Sequence, residues 1–247
     1  MNTLRLDTAT LSQPGGRAIN EDACGHGNGC WVVADGLGGH GGGEVASRLA
    51  VEALLAAAAA GPLTDPAALT AALGAAETAI HARQAQDLRL SRMRTTVAIL
   101  ASDGRTALWA HVGDTRLYHF RAGRLCAQTA DHSVPQALVN AGEITPAEVR
   151  FHEDRNRLLR TLGNDRPLRP TLAAAPLTLV PGDAFLLCTD GFWDYVTEAE
   201  MEVALASATS ADDWLRTMTA GLVERATPEH DNYSAIAVWV AAAGPAP

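Results

Sequence analysis

The sequence predicts an α+β fold, in which helices and antiparallel strands occupy separate stretches of the chain. Two long helical patterns follow one another between residues 44 and 88, and four short strand-like runs follow between residues 95 and 128. This order does not fit the alternating β–α units of a parallel sheet. The length of 247 residues and the 47% apolar content suffice for one large domain. We expect that domain to cover residues 1–242, followed by a short tail at 243–247.

The N-terminal third predicts two strands followed by two helices. Residues 4–12 are expected to form a strand, and the apolar run Cys30–Ala34 a buried strand that ends at Asp35 and Gly36. From Glu44 the apolar residues keep helical spacing up to Gly61. A second helix is expected to start at Thr64-Asp65-Pro66 and to end near Leu88, because Asp caps free N–H groups and Pro is favoured in the first turn.

The middle of the chain predicts an antiparallel meander followed by an insertion. Strands are expected at residues 95–101, 106–112, 116–120 and 124–128, and Asp103-Gly104 is a typical hairpin turn. Residues 131–170 differ, since they are rich in charge and contain only short helical patterns, at 134–140 and 146–152. The second of these starts with a capping box, Thr145-Pro146-Ala147-Glu148. We interpret residues 131–170 as a flap over the sheets.

The C-terminal part returns to strands and helices. Strands are expected at residues 177–180 and 184–188, helices from Thr197 and from Ser210 to about Arg225, and a closing strand at 233–240. Tyr195 and Trp193 are expected to pack rather than to contact a substrate.

The composition excludes several classes of protein. The net charge of −9 argues against a nucleic-acid partner. All 19 basic residues are arginine, so a nucleophilic lysine, a Schiff base and a P-loop lysine are excluded. The four cysteines have no zinc-like spacing, and their mostly apolar neighbours favour buried free thiols over disulfides. The chain shows no signal peptide and no membrane-spanning stretch, so we expect a monomeric cytoplasmic protein without a membrane partner.

Several acidic residues share a setting, at the end of a predicted strand or in a turn beside Gly or Asn. They are Glu21, Asp22, Asp35, Asp114, Asp190 and Asp231. Any one of them is more easily explained as a turn former or a helix cap. If they converge, however, their repulsion must be neutralised by cations, and an all-oxygen set favours Mg²⁺ or Mn²⁺. Two such ions would activate a water molecule, and Arg17 could hold phosphate oxygens. The set therefore suggests hydrolysis of a phosphate ester.

The glycines after Asp35 permit a second interpretation. Gly36-x-Gly38-x-x-Gly41 matches the dinucleotide-binding fingerprint, and it lies between a strand and a helix. That fold requires a parallel strand soon after its first helix, whereas here a second helix follows and the next strand starts near residue 95. Asp35 would also repel a pyrophosphate. We therefore favour the metal-binding interpretation.

Taken together, these motifs resemble those of the PP2C-type (PPM) metal-dependent Ser/Thr protein phosphatases, specifically the bacterial members. The matching motifs are Arg17-x-x-Asn20-Glu21-Asp22, Asp35-Gly36-x-Gly38-Gly39-His40, Gly113-Asp114-Thr115-Arg116, Thr189-Asp190-Gly191 and Asp231-Asn232. The resemblance covers residues 8–240 and implies a four-layer α-β-β-α sandwich of two antiparallel sheets flanked by helix pairs. It also implies hydrolysis of phosphoserine and phosphothreonine by a hydroxide that bridges two Mn²⁺ or Mg²⁺ ions.

The resemblance implies a role for each acidic position. Asp35 would bridge both metals, the Gly36 carbonyl would bind the second, and Asp190 and Asp231 would complete the first. Asp22 and Glu21 would hold metal-bound water, and Arg17 would bind the phosphate. Asp114 would bind a third, weaker metal, and Asn156 aligns loosely with a flap residue of that third site.

The chain departs from eukaryotic members at one catalytic position. Leu37 stands where they carry a histidine proposed as general acid, so metal-bound water would have to protonate the leaving oxygen. His40 is nearby but is equally well explained as a helix-entry residue.

The implied partners are phosphorylated proteins and an opposing bacterial Hanks-type kinase, with type VI secretion as one setting. A non-catalytic PP2C-like module that binds phosphopeptides is the alternative. The arginines between Arg150 and Arg169 favour an ordinary solvated surface over a phosphopeptide site.

Overall fold

Two antiparallel sheets form the centre of the computed structural model, which describes residues 4–38 and 42–242. The strands in these residues, in chain order, are β1 Leu4–Gln13, β2 Ala23–Gly27, β3 Cys30–Ala34, β4 Gly36–Leu37, β5 Arg94–Thr95, β6 Val97–Ser102, β7 Thr106–Val112, β8 Arg116–Arg121, β9 Arg124–Gln128, β10 Thr171–Leu172, β11 Leu177–Thr178, β12 Ala184–Cys188 and β13 Tyr233–Ala242. One sheet has the order β1-β13-β12-β8-β9 and the other β10-β7-β6-β3-β2, with β11 also paired to β7. The two-residue strands β4 and β5 pair separately.

Helical segments flank both sheets and also occur within residues 131–170. They are α1 Gly43–Ala60, α2 Pro66–Gln86, α3 Val134–Ala141, α4 Asp190–Trp193, α5 Glu198–Ser207 and α6 Ala211–Arg225, with 3₁₀ turns at Leu88–Leu90 and Pro146–Phe151. The predicted start of α2 is confirmed, since Asp65 Oδ1 accepts hydrogen bonds from the backbone N–H of Ala67 and Ala68, both at 2.9 Å. In these described residues, no helix is both long and apolar enough to cross a membrane.

Three apolar clusters define the layers. Alternate residues of β3 point to opposite sides, so that Val32 packs under α1 and α2 while Trp31 and Val33 face the other sheet. The middle cluster joins Val33 and Leu100 to Leu187 and Ile236 across the two sheets. The third cluster packs Phe120 against α6, where Trp214 meets its ring edge to face. The α-β-β-α sandwich is therefore confirmed.

The predicted meander at residues 95–128 is wrong in one respect. It forms two hairpins in different sheets, because β6 pairs with β7 whereas β8 pairs with β9 and β12. The chain crosses between the sheets at Gly113, which has φ +101° and lies so close to Thr96 that a Cβ would meet its Cγ2 at 2.5 Å. A turn signal marks the end of a strand, but nothing local shows that the next strand joins another sheet.

Smaller differences from the predictions occur at the edges. Strand β2 was not predicted, because Ala23–Gly27 contains two glycines and little apolar character. The strand expected at 177–180 is limited to Leu177–Thr178, and the helix expected at 146–152 is the 3₁₀ turn Pro146–Phe151. All four cysteines are free thiols as expected, but only Cys30 and Cys188 are buried, whereas Cys24 is half-buried and Cys126 is exposed.

Candidate active site

A cleft of about 650 Å³ lies where the strands of the two sheets end and brings most of the predicted residues together. Of the eight residues predicted for the site, those that line it are Arg17, Glu21, Asp35, Gly36, Asp114, Asp190 and Asp231. Asp22 lies behind this wall and is buried. Asn156 and Leu158 reach the same cleft from residues 131–170. Sequence positions more than 200 residues apart therefore converge on one volume.

Asp35 is held at the end of β3 by the neighbouring strand. Its backbone N–H donates to Thr96 Oγ1 at 3.1 Å, and its carbonyl accepts from Thr96 N–H at 2.9 Å and from Thr95 Oγ1 at 2.7 Å. All backbone polar groups of this residue are thus used for positioning, and the carboxylate remains for the cleft. Thr95 and Thr96 were not predicted as site residues, because their side chains act on the backbone of a distant residue.

Gly36 lies in a crowded part of the backbone. Its N–H donates to the Glu21 carbonyl at 3.1 Å. A Cβ added at Gly36 would lie 2.2 Å from the Gly43 carbonyl oxygen, so no larger residue fits there. A Cβ added at Gly43 would lie 2.7 Å from both Glu21 Oε1 and the Gly36 carbonyl oxygen, which shows that these two oxygens flank the same backbone atom.

Asp190 and Asp231 adjoin because β12 and β13 pair antiparallel. Cys188 lies opposite Ala235 in this register, so the end of β12 meets the start of β13. Thr189 fixes the junction, since its N–H donates to the Ser234 carbonyl and its Oγ1 accepts from Ser234 N–H, both at 3.0 Å. The same hydroxyl donates to Asp22 Oδ2 at 2.9 Å. Thr189 thereby links the buried acid to the two strand ends.

Asp114 occupies the crossing between the sheets. Its carbonyl accepts a hydrogen bond from Trp193 Nε1 at 3.0 Å. The guanidinium of Arg116 lies 3.5 Å from the Trp193 ring centroid and forms a buried bidentate pair with Asp131, at 2.8 Å for each bond. Trp193 is indeed a packing residue, as predicted, but it also orients the backbone of a predicted site residue.

Arg17 lies on an exposed loop and contacts an acid of the site. Its guanidinium donates to Asp231 Oδ2 at 2.9 Å. The loop is held by Asn232, whose Nδ2 donates to the carbonyls of Pro14 and Ile19 and whose Oδ1 accepts from Glu21 N–H at 2.8 Å. The sequence showed Asn232 only as part of a motif, and the structure gives it this tethering role.

Burial and repulsion between carboxylates raise the pKa values of five of the clustered acids. Burial, opposed by hydrogen bonds from Ser234 and Thr189, raises the pKa of Asp22 to about 7. Burial and the nearby Asp194 and Asp231 raise the pKa of Asp190 to about 7. The pKa values of Asp35 and Asp114 lie well above the usual range, first because of burial and then because of neighbouring carboxylates. Burial also raises the pKa of Glu21. The cluster is therefore strained when all its members are ionised.

The chemistry of this cluster fits divalent cations. The donors are oxygens without a Cys or His partner, which suits Mg²⁺ or Mn²⁺. Asp22 Oδ1 is buried and has no hydrogen-bond partner in the described residues, so one acceptor is left for a further ligand. Within residues 4–38 and 42–242, no three His, Cys, Asp or Glu side chains are close enough together in this structure to hold a metal ion. An ion would have to draw the carboxylates together.

The remaining predictions for the site have different outcomes. Leu37 lines the cleft, as expected for the position that replaces the histidine. His40 lies outside the described residues. The dinucleotide interpretation is wrong, because β3 pairs antiparallel with β6 and with β2, and no parallel crossover follows α1 in the part of the chain that the structure describes.

Comparisons with known proteins agree with this geometry. The family model described as protein phosphatase 2C matches residues 15–230. The serine/threonine protein phosphatase PstP of Mycobacterium tuberculosis is 39% identical over 206 residues, which are 82% of this chain and 39% of PstP. The chain thus spans about two fifths of the length of that relative.

Solved structures show the same similarity. The catalytic domain of PstP in complex with two manganese ions superposes with a TM-score of 0.84 at 34% identity, covering 97% of this chain and all of that one. PppA of Pseudomonas aeruginosa, a key regulatory component of its T6SS, has a TM-score of 0.79 at 32% identity and covers 95% of this chain and 97% of its own. The chain therefore belongs to the protein phosphatase 2C family, in the branch that contains these bacterial serine/threonine phosphatases.

Proposed function

We propose that the chain is a metal-dependent protein phosphatase that removes phosphate from phosphoserine and phosphothreonine. The observation that carries this proposal is the convergence of five acidic residues and Arg17 on one cleft, with Asp22 behind them and with the pKa values of Asp22, Asp35, Asp114 and Asp190 raised. Such a cluster stores repulsion that bound cations would relieve.

Particular residues would hold the cations. Asp35 would contact two Mn²⁺ or Mg²⁺ ions, with Asp190 and Asp231 on one and the Gly36 carbonyl on the other. Asp22 and Glu21 would act through ordered water, and Asp114, with Asn156 facing the same cleft, would serve a third ion. When bound, the metals would supply an activated water molecule and charge neutralisation for in-line attack on phosphorus.

Arg17 would bind the phosphoryl group of the substrate. Its guanidinium is half exposed and reaches the cleft edge, where it pairs with Asp231. A planar fork of donors matches two phosphate oxygens. A cation at Asp231 would weaken the Arg17–Asp231 pair, and the guanidinium would then be available to the substrate. Leu37 itself has no proton to give, so we propose that the leaving oxygen would take its proton from water in the cleft.

The test is hydrolysis of p-nitrophenyl phosphate and of a phosphothreonine peptide. We expect turnover with Mn²⁺ and its loss in EDTA. Asp35→Asn and Asp190→Asn should each lower kcat at least about 1000-fold, while Asp103→Asn in the exposed hairpin turn should not. Circular dichroism checks the fold of each variant. Equal turnover in EDTA, or unchanged turnover in both site variants, would refute the mechanism.

The alternative is a non-catalytic module that keeps the fold and binds phosphopeptides. The complete acid cluster argues against it, since a binding module does not need a set of strained carboxylates. It would be favoured if the chain bound Mn²⁺ tightly and hydrolysed no phosphopeptide.

We also propose that the substrates are proteins phosphorylated by a Hanks-type kinase, and that type VI secretion is one candidate setting. The likeness to PstP and to PppA supports these assignments. Deletion of the gene should increase phosphothreonine on the substrates of such a kinase, and reintroduction of an Asp35→Asn form should not reverse the increase. Unchanged phosphothreonine after deletion would contradict the pairing.

A further inference from the structure

A second groove continues from the candidate active site. It encloses about 1030 Å³ between the segment just before β5 and the flap, and it shares Leu37, Gly38, Asn156 and Leu158 with the first cleft. The two cavities therefore adjoin, and a bound chain could extend from one into the other. The groove has a polar lining that includes Ser91, Thr161 and Asn164.

The charge of this groove is opposite to that of the whole protein. Four arginines line it, Arg92, Arg94, Arg160 and Arg166, whereas Asp165 is the one acid among its lining residues in the described chain. The protein carries a net charge of −9. Positive charge is thus concentrated on one face beside the cleft, where it would attract anionic groups.

Most other arginines of the flap are already paired. Arg150 contacts Glu198, Arg155 contacts Asp194, and Arg157 contacts Asp154. The expected solvated surface is seen for Arg155 and Arg157, whereas the side chain of Arg150 is only 10% exposed. In contrast, the guanidinium groups of Arg92, Arg94 and Arg166 are exposed and enter no hydrogen bond or ion pair within residues 4–38 and 42–242.

Hydrogen bonds from helix α2 connect the two walls of the groove, which are the segment before β5 and the flap. Gln84 of α2 donates to the carbonyl of Met93 at 2.8 Å and to that of Gly163 at 2.7 Å. Glu77 of the same helix accepts from Gly163 N–H at 2.7 Å. Thr95 and Leu162 exchange two backbone hydrogen bonds. The arginines of both walls therefore project from a preformed frame, which reduces the entropic cost of binding.

The position of Arg94 relates the groove to the reacting group. Arg94 lies directly opposite Leu37 in the β4–β5 pair, and Leu37 follows Gly36 of the candidate metal centre. Directly paired residues lie about 5 Å apart, and an extended peptide advances about 3.4 Å per residue. An anionic group about one to four residues from the phosphorylated side chain would therefore reach the arginines.

We propose that this groove selects phosphoprotein substrates that carry further anionic groups, either carboxylates or a second phosphate, close to the target residue. The proposal rests on the proposed phosphatase function and adds a specificity site to it. The arginines would not act on the reacting phosphate itself. They would hold the flanking segment by charge-assisted hydrogen bonds.

The test compares phosphothreonine peptides that differ only in flanking residues. One set carries aspartates on the N-terminal side, one on the C-terminal side, one carries a phosphoserine in place of an aspartate, and one carries only alanine and glutamine. With Mn²⁺ at low salt, we expect kcat/KM to be about tenfold higher for an anionic peptide, since several weak exposed charge pairs act together. The preference should shrink at about 0.5 M salt.

Substitutions then locate the preference. Arg92→Gln combined with Arg94→Gln, and Arg166→Gln separately, should lower the ratio of kcat/KM between anionic and neutral peptides towards one. Arg105→Gln is the matched control, because this exposed arginine lies in the hairpin between β6 and β7, at the far end of the strands from Asp35. A ratio near one in the unmodified protein, or an unchanged ratio in the groove variants, would overturn the proposal.

A second measurement separates this proposal from the phosphatase assignment. If the unmodified chain hydrolyses neither p-nitrophenyl phosphate nor any peptide, the proposed function fails. Fluorescence anisotropy of the labelled anionic peptide would then decide about the groove. Weaker binding by the arginine variants but not by Arg105→Gln would support it, and equal binding by all forms would refute it.

Discussion

At the residue scale, close backbone packing around Gly36 shapes the candidate metal centre. The N–H of this residue bonds to Glu21, and its Cα faces the Gly43 carbonyl so closely that a methyl group would overlap it. The glycine-rich pattern is thus explained by contact between backbones rather than by a nucleotide phosphate. It lets the entry of α1 approach the end of β3, and so brings Glu21 to the acid cluster.

We predict that Gly36→Ala disrupts this packing. The added methyl group would have to displace backbone atoms, so we expect the free energy of unfolding to fall by about 2–3 kcal/mol and turnover to be lost. Urea denaturation and p-nitrophenyl phosphate hydrolysis measure the two effects.

The control for Gly36 is Gly27→Ala, a glycine in β2 with no atom within 4 Å of an added Cβ. That variant should change the free energy of unfolding by no more than about 0.5 kcal/mol. Equal effects at both positions would show that packing at Gly36 is not the cause.

At the element scale, α2 determines where the flap lies. Glu77 and Gln84 are separated by two helical turns, which places both on the same face, and both bond to Gly163. Glu77 is buried although it is acidic, and this burial is explained by its bond to Gly163 N–H and its contact with His81 at 3.2 Å. Helix α2 therefore packs against the sheet with its apolar residues. It holds the flap through the side chains of Glu77 and Gln84.

We predict that Gln84→Ala loosens the flap. Two hydrogen bonds would be lost, at about 1 kcal/mol each, so the locally opened form should become about tenfold more populated or more. Limited trypsin digestion should cleave after Arg157 and Arg160 faster by a similar factor.

The same helix provides the control. Gln86→Ala replaces an exposed glutamine on another face, and its digestion rate should match that of the unmodified chain. Equal digestion of the Gln84 and Gln86 variants would mean that the flap is held by other contacts, such as the Thr95–Leu162 pairing.

At the scale of the whole molecule, opposite ends of the sandwich hold charge in different ways. At the end distant from the cleft, buried Asp183 accepts bonds from Arg121, His119 and Val180 N–H. Burial alone would raise the pKa of Asp183, but these bonds outweigh it, and the pKa lies below its usual value. At the cleft end Asp22, Asp35, Asp114 and Asp190 have no arginine partner within the described residues, and their pKa values are raised. The end with Asp183 thus contributes stability, whereas the unneutralised acids at the cleft end favour cation binding.

We predict that Asp183→Asn destabilises the protein in a pH-dependent manner. Because the folded-state pKa is lowered, the stabilising effect is complete above the unfolded pKa near 3.9 and is lost as pH falls through the folded value. The variant should unfold about 3 kcal/mol more easily at pH 7, with a smaller difference near pH 3.5. Urea denaturation at both pH values measures this, and exposed Asp165→Asn is the control. An equal difference at both pH values would exclude the ionised carboxylate as the cause.

We further predict that Mn²⁺ stabilises the folded chain against heat. At about 100 times its dissociation constant, a bound ion adds about 2.7 kcal/mol, which corresponds to a rise in Tm of about 5–10 °C for a chain of this size.

A site variant provides the contrast for this shift. Asp190→Asn should raise the Tm of the metal-free form, because one source of repulsion is removed, and should reduce the shift on adding Mn²⁺. Identical shifts in both proteins would indicate that the ion binds elsewhere.

Much of the architecture followed from local patterns, because each depends on neighbouring residues. The helix starts at Asp65, Thr197 and Ser210 were recognisable, since capping side chains bond to N–H groups two or three residues away. The acids at strand ends could likewise be identified as candidates. The sheet crossing at Gly113 could not, because its cause is contact with Thr96 in a different hairpin.

The sequence by itself determined the types of chemical group and the order of the elements, including the six acids, Arg17 and the absence of lysine. Only the tertiary structure decided which of these groups share a volume. Pairing of β12 with β13 brought Asp190 to Asp231, and the bond from Thr189 to Asp22 completed that corner. The tertiary structure also brought Arg92, Arg94 and Arg166 to the lining of one groove. Such juxtapositions depend on strand register and on packing between distant segments, and these are properties of the folded chain as a whole.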